Sequence, residues 1–333
     1  MTTRKLLTHR DLAPLARAAV GPHRTPTAAV RLRGGSRKGV YRLVFDDGST
    51  AVAYVWSADE DFWDAGPAGP SAPRDPFSPG TGLDLFTAAH HRLTAAGVRT
   101  PRLLHTDATR TRLPADAAVV EDLQGGSLED LLARDPRAGR EALERLAGLL
   151  DALRSQAGPR FGTVALVDGG GSPPVRSCAR HAAGEGLRAL EEIAVRDRRA
   201  AAAREALAER VRALAAEVRP RDRHTLVHGE LGPDHVLLTS DGHPALIDIE
   251  GLLYADAEWE HVFLALRFGP HYDALRAPGL DERRLALYRL VMHLRLVAGP
   301  LRLLDGDYPD PEPVRAIAEF NLRQALGLLR TAS

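Results

Sequence analysis

The segment from His224 to Gly251, HTLVHGELGPDHVLLTSDGHPALIDIEG, carries three side chains, Glu230, His235 and Asp248, whose types suit phosphoryl transfer from a nucleoside triphosphate. That reaction asks little covalent work of a protein; it needs a carboxylate to orient the attacking hydroxyl and ligands to hold a divalent metal against the phosphates. Thr225 to Val227, Val236 to Leu238 and Ala245 to Ile249 are short apolar runs, and Ser240-Asp241-Gly242 between the last two is a hairpin signal. The pattern predicts a hairpin with Glu230 at the mouth of one loop and Asp248 at the end of a neighbouring strand. A carboxylate between Ile247 and Ile249 is expensive to bury unless it is paired or bound to a metal, which singles out Asp248 as a functional candidate.

These residues resemble the aminoglycoside phosphotransferase family, small-molecule kinases of protein-kinase architecture with an HGD-x-x-x-x-N loop followed by an I-D-[WFL]-[EG] segment. The chain reads HGE from His228 to Glu230, His235 at the Asn position, and IDIE from Ile247 to Glu250. The resemblance implies that Glu230 orients the acceptor, that His235 is the metal ligand of the loop and that Asp248 is the principal Mg²⁺ ligand, with ATP or GTP as donor. Glu230 stands where the family usually has Asp, and displacing a reacting group by about 1 Å can cost on the order of 10²-fold in rate. His235 is a softer ligand than Mg²⁺ prefers, so Mn²⁺ is an alternative metal. A second run, EDLQGGSL from Glu121 to Leu128, is similar to the E-D-L-x-G-G-S-L run of the family and implies a hinge where Glu121 and Leu123 flank the nucleotide base. Ser127 with Asp130 three residues on marks a helix start there. The family places a bracing Asp near Asp256. That residue, with His228, is assigned to structural support, and Glu258 and Glu260 to support or to the acceptor wall.

Other elements must position these groups. Residues 29–56, AVRLRGGSRKGVYRLVFDDGSTAVAYVW, read as three strands with turns at Gly34-Gly35 and Asp47-Gly48. The first turn offers phosphate oxygens the backbone of Gly35 and Ser36 and the cations of Arg37 and Lys38. Kinase-like folds carry a phosphate-binding Lys on the third strand, paired with a Glu from the next helix. Here the Lys position falls on Tyr54, and the chain has only two lysines, Lys5 and Lys38, among 44 basic residues. A lysine on the phosphates is therefore Lys38. The next helix, Leu83 to Ala96, has Asp84 as its one acid. Two functional readings follow: a nucleotide held by Arg37, Lys38 and backbone, or a pseudokinase or nucleotide-binding scaffold without turnover.

The expected architecture is an α+β, protein-kinase-like two-lobed fold. An N-lobe with a small antiparallel sheet spans residues 1–120, with a Pro-rich loop at 63–82. A hinge at 121–127 follows, then a larger, mostly helical C-lobe at 128–333 with the catalytic, metal and acceptor sites. Leu143, Leu146, Leu150 and Leu153 share one helix face, Leu207, Val211 and Leu214 another, and the Gly-rich segment 169–174 is a linker. Further helices are expected from Tyr254 to His261, around Leu287 to Val297 and from Val314 to Leu329, with an acidic turn from Asp305 to Asp310. Basic and acidic residues balance at 44 each, so no global field invites nucleic acid or an anionic membrane; the partner that the resemblance implies is a small molecule with an acceptor hydroxyl. No segment approaches the ~18 apolar residues of a membrane span, and the N-terminus lacks a signal-peptide run. A single cysteine, Cys178, excludes an internal disulfide, so the expected compartment is the cytoplasm. His224 and His228 have the spacing of a zinc helix but not its Glu, and no G-x-S-x-G, CxxC or G-x-x-x-x-G-K-[ST] occurs.

Overall fold

The structure, a computed structural model, describes residues 4, 6–32, 35–63, 80–173, 175 and 177–330. In chain order the elements are α1 (His9–Val20), β1 (Pro26–Arg31), β2 (Gly39–Phe45), β3 (Thr50–Trp56), α2 (Leu83–Ala95), β4 (Leu103–Asp107), β5 (Asp116–Glu121), α3 (Leu128–Arg134) and α4 (Pro136–Ser155). There follow β6 (Ala157–Gly158), β7 (Gly162–Thr163), α5 (Val164–Asp168), α6 (Cys178–Arg196), α7 (Arg198–Glu217), β8 (His224–Val227), β9 (Val236–Leu238), β10 (Pro244–Leu246), β11 (Leu253–Ala255), α8 (Ala257–Phe268), α9 (Glu282–Leu304) and α10 (Pro311–Arg330). Contacts divide the chain into two compact units. One comprises Met1–Trp63, Pro79–Leu146 and Pro233–Gly251; the other includes Ala147–Gly232 and Leu252–Ser333.

The first unit is built on a five-stranded antiparallel sheet in the order β1-β2-β3-β5-β4. β2, GVYRLVF, alternates buried and half-buried residues, the period-2 signature of a strand with one covered face. β3, TAVAYVW, is buried at every position between its ends, as a central strand should be. Helix α1, opened by a Thr8–Asp11 capping box, buries Leu12 and Leu15 in a core with Tyr41, Leu43, Ala53 and Val119. The β2–β3 turn closes at Asp47-Gly48, where Gly48 takes φ +79°. Helix α2 runs from Leu83 and ends just before Gly97, at φ +72°, in line with its reading as a helix stop. α3 is capped by Ser127, whose Oγ accepts from Asp130 N at 3.0 Å. The segment before it is stitched to the hairpin strand: Gly125 N donates to Leu238 O at 3.0 Å, and Leu238 N to Gly126 O at 2.9 Å. A Cβ at Gly125 would lie 2.4 Å from Leu238 O, so only glycine permits this approach.

The hairpin itself, β9 with β10, forms around Ser240-Asp241-Gly242 as read from the sequence, with Leu237 opposite Ala245. Two local expectations are corrected. The strand expected from Ala245 to Ile249 stops at Leu246, because Asp248 adopts φ +57°, a left-handed conformation that cannot continue a ladder. A 3-10 turn, Ile249–Gly251, follows. The helix expected from Tyr254 starts at Ala257, since Leu253–Ala255 pairs as β11 with Thr225 to Val227 of β8. Gly34 and residues 64–79 of the Pro-rich segment lie outside the described residues, as does Pro174 of the linker.

The second unit holds the small sheet β6-β8-β11-β7 and the helices α5 to α10. Leu207, Val211 and Leu214 of α7 pack with Leu190 and Ile193 of α6 and with Leu287 and Val291 of α9 in one core, so the spacing that suggested helices is also the spacing that buries them. A polar cluster sits in this core. Asp256, only 1% exposed, is bonded by Arg284 and Tyr288 and lies 3.3 Å from His224 Nδ1. Burial works to raise the Asp256 pKa, but His224, Tyr288 and Arg284 outweigh it and hold the carboxyl below its ordinary value. Arg284→Ala would leave that buried charge short of its guanidinium partner, the one that is charged at every pH. A loss of about 3–5 kcal/mol is expected in urea unfolding, with Tyr288→Phe costing less; a variant within 1 kcal/mol or so of the native chain would contradict this account.

Candidate active site

The first unit brings Lys38, His235, Asp248 and Glu250 together. The Pro233–His235 3-10 turn leads into β9, and Ile247 N donates to His235 O at 3.0 Å, which holds the residue before Asp248 against the turn that carries His235. His235 Nε2 lies 3.9 Å from Asp248 Oδ2. The Asp248 side chain is 42% exposed, and the Lys38 ammonium binds its Oδ1 at 2.8 Å. The same ammonium bonds Glu250 Oε1 and sits 5.3 Å from the centre of the Tyr54 ring. Burial alone would lower the Lys38 pKa, but the Asp248 and Glu250 carboxylates outweigh it and keep the amine charged.

A cation already rests on Asp248, which shows that this carboxylate, flanked by an imidazole, presents its oxygens to positive charge. Mg²⁺ is typically held by one or two carboxylates plus substrate phosphates rather than by an all-protein cage. The donor set of Asp248 and His235 therefore fits a divalent ion brought in with a nucleotide. Among the described residues no cluster of three or more His, Cys, Asp or Glu could hold a metal on protein ligands alone.

Of the turn residues expected near phosphate, Gly35 packs so closely that a Cβ would fall 2.4 Å from Lys38 O. Ser36 Oγ accepts from the Trp63 indole at 3.0 Å. The Arg37 guanidinium stacks on Trp63 at 4.7 Å and lies 3.9 Å from Asp61. Of the two cations of the turn, then, Lys38 reaches Asp248, while Arg37 is placed on Trp63 and Asp61. At the expected hinge, Arg99 and Arg102 bind the Glu121 carboxylate at 2.5 and 3.4 Å, and Glu121 N donates to Arg102 O at 2.9 Å, so both its side chain and its N–H are engaged within the fold. Leu123 is buried.

The second unit carries Glu230, His228, Asp256, Glu258 and Glu260. Glu230 is exposed, in the loop after β8, and its N donates to His228 Nδ1 at 3.4 Å. Glu258 is buried and held by Arg221 at 2.7 and 2.8 Å, and it accepts from Asp281 N at 2.9 Å. Asp256 meets His224 on β8, ahead of the loop, whereas Glu260 meets the loop itself: its Oε2 accepts from Gly229 N at 2.7 Å. A cavity of about 30 Å³ lies beside Glu260, lined also by Arg154, Thr225, His261 and Leu264.

Burial pushes the Glu260 carboxyl up to about 7, although the amides of Gly229 and His228 favour its charged form. Its proton is retained in the folded chain after the unfolded chain, at the ordinary value of 4.5, has lost it. The stability this gives is fully present below the unfolded value and disappears as pH rises through about 7. His261, which burial and Arg154 lower to about 4, acts in the opposite sense at lower pH. Glu260→Gln is expected to remove the decline: between about pH 5 and 8 the native chain should lose up to about 3 kcal/mol relative to the variant in urea unfolding. Parallel pH profiles would contradict this.

Glu250, to which the sequence pattern assigns no role, is buried beside Lys38 in the structure. The signal that could have found it is a second carboxylate two residues after Asp248 in an otherwise apolar stretch.

An antiparallel-sheet N-terminal region, a loop–hairpin segment with its acidic residues, and a helical C-terminal region together define a protein-kinase-like fold. Residues 72–294 match the model of the phosphotransferase enzyme family, and the chain belongs to that family. No curated protein matches it. Among solved structures, spectinomycin phosphotransferase APH(9)-Ia, in complex with ADP and spectinomycin, is similar at a TM-score of 0.66 and 12% identity, over 94% of each chain. APH(2")-IIia with GDP and kanamycin gives 0.60 and 17%, over 95% of this chain and 97% of its own. A putative fructosamine-3-kinase from Thermobifida fusca gives 0.55 and 19%, over 95% and 98%.

Proposed function

We propose that the protein transfers the γ-phosphate of ATP or GTP to a hydroxyl group of a small molecule. The observation that carries this reading is the Lys38 ammonium resting on Asp248 beside His235, in a member of the phosphotransferase enzyme family. Asp248 and His235 would hold Mg²⁺ or Mn²⁺, which when bound neutralises phosphate charge. Lys38 supplies a buried positive charge to the phosphates, and Ser36 and Arg37 lie in the same turn. Glu230 orients the acceptor hydroxyl and takes up its proton. Glu260 holds the backbone of Gly229, next to Glu230, in place. Backbone around Glu121 and Leu123 meets the base. The structures of similar fold support both adenine and guanine nucleotides as donors, and aminocyclitol or glycated-amine hydroxyls as acceptors. No described helix is long and apolar enough to cross a membrane; the need for nucleoside triphosphate supports a cytoplasmic enzyme.

The test is transfer itself. The protein with Mg²⁺ or Mn²⁺, ATP or GTP, and a panel of aminocyclitols, amino sugars and fructosamines should yield a phosphorylated acceptor by mass spectrometry. Nucleotide binding with no transfer to any hydroxylated acceptor would instead favour the scaffold reading, which Tyr54 in place of lysine motivates.

A further inference from the structure

Kinase-like folds fix their phosphate-binding lysine with a glutamate from the helix after the third strand. Here that arrangement is replaced on both sides. Tyr54 stands on β3, and α2 turns an aromatic toward it: the Phe86 and Tyr54 rings meet edge-on at 5.4 Å. The only acid of α2, Asp84, is exposed at its first turn. The ammonium comes instead from Lys38, just before β2, and reaches the region over the Tyr54 ring. Its buried partner is Glu250, on the 3-10 turn Ile249–Gly251 and only 4% exposed.

We propose that Glu250 is the positioning residue for Lys38, so that the turn directly after the metal-binding carboxylate fixes the phosphate-binding ammonium. This rests on the reading of Lys38 as a phosphate ligand. The two carboxylates on Lys38 differ in kind. Asp248 is part-exposed, and water or a metal can replace the lysine there at small cost. Glu250 is buried, and separating it from Lys38 strands a charge away from water. When Asp248 is taken by another cation, Glu250 keeps Lys38 in place. The arrangement also releases α2 from the task of aligning the lysine.

Having only two lysines makes this testable without nucleotide. Acylation of the free protein with an amine reagent, read peptide by peptide, reports Lys38 against Lys5. Glu250→Gln should acylate Lys38 about tenfold faster with Lys5 unchanged, because Lys38, only 8% exposed, loses the buried carboxylate that pins its ammonium in place and becomes open to the reagent. Calorimetry with Mg²⁺ and AMP-PNP then reads function. Glu250→Gln and Lys38→Met should each weaken binding by about 10–100-fold, and the double variant should be no weaker than the worse single, since one contact is lost once. Lys38→Met with Tyr54→Lys should recover affinity only while Glu250 is present. Asp84→Asn should bind as the native chain does. Unchanged Lys38 reactivity in Glu250→Gln, or losses that multiply in the double variant, would overturn the proposal; multiplied losses would make Glu250 a ligand in its own right. A native chain that shows the acylation effect but binds no nucleotide would overturn the phosphotransferase reading instead.

Discussion

Asp248→Asn should lower turnover by on the order of 10²–10³-fold, the range observed when one preorganised electrostatic stabiliser is removed. The loss should appear in metal dependence as well, with more Mg²⁺ needed for half-maximal rate. Asparagine is the substitution to make because Asp248 sits at φ +57°, and Asn is among the few residues that tolerate the left-handed region. The variant therefore keeps the backbone while removing the charge. Its side chain is 42% exposed and Lys38 retains Glu250, so the melting temperature should move little. Steady-state kinetics with Mg²⁺ titrated at fixed nucleotide checks both parts. Native turnover in Asp248→Asn at unchanged Mg²⁺ requirement would remove Asp248 from the metal site.

Glu230→Gln should lower kcat by about 10²-fold or more, the lower part of the range for a general base, and leave nucleotide affinity as it was. The amide can still accept a hydrogen bond from a hydroxyl but cannot take its proton. Because Glu230 is exposed, the change should not disturb folding. Glu230→Asp tells whether the loop is built for the longer side chain. A loss of tenfold or more there would mean that the backbone has adjusted to glutamate, given the steep cost of displacing a catalytic group by about 1 Å. Single-turnover measurements with saturating acceptor separate the chemical step from product release. A Glu230→Gln variant as fast as the native chain would assign the acceptor proton elsewhere.

Much of the fold was legible because its elements have strong local signals. Asp47-Gly48 and Ser240-Asp241-Gly242 announce turns, Gly97 stops a helix, Ser127 starts one, and the apolar spacing of α4 and α7 is the spacing that buries Leu143, Leu146 and Leu153 on the one and Leu207, Val211 and Leu214 on the other. Errors arose where composition imitates another element. Ile247 and Ile249 flank Asp248 as strand residues would, yet the left-handed φ between them ends β10 early. Tyr254 and Ala255 looked continuous with the helix that begins at Ala257, and only pairing to the distant β8 makes them, with Leu253, a strand. α1 and β4 were not anticipated; α1 carries an internal Pro14 and β4 pairs through an irregular register.

The site was half legible in the same sense. Scarcity pointed to Lys38, since no other lysine lies anywhere after Lys5. A second carboxylate two residues after Asp248 marks Glu250 as a candidate, but its pairing with Lys38 could not be read, because the contact joins residues 212 positions apart. The bracing of the HGE loop was assigned to the neighbourhood of Asp256, with Glu258 and Glu260 given to support or to the acceptor wall. The carboxylate that receives Gly229 N belongs to Glu260, one helical turn further along α8.

Calorimetric titration of ATP and of GTP into the native chain, each with and without Mg²⁺, tests the central claim most directly. The account predicts that at least one nucleotide binds with micromolar affinity when the metal is present, and at least tenfold more weakly when it is chelated. No binding of either nucleotide under either condition would contradict it, leaving a kinase-like fold whose Lys38, Asp248 and Glu250 are an ion cluster and nothing more.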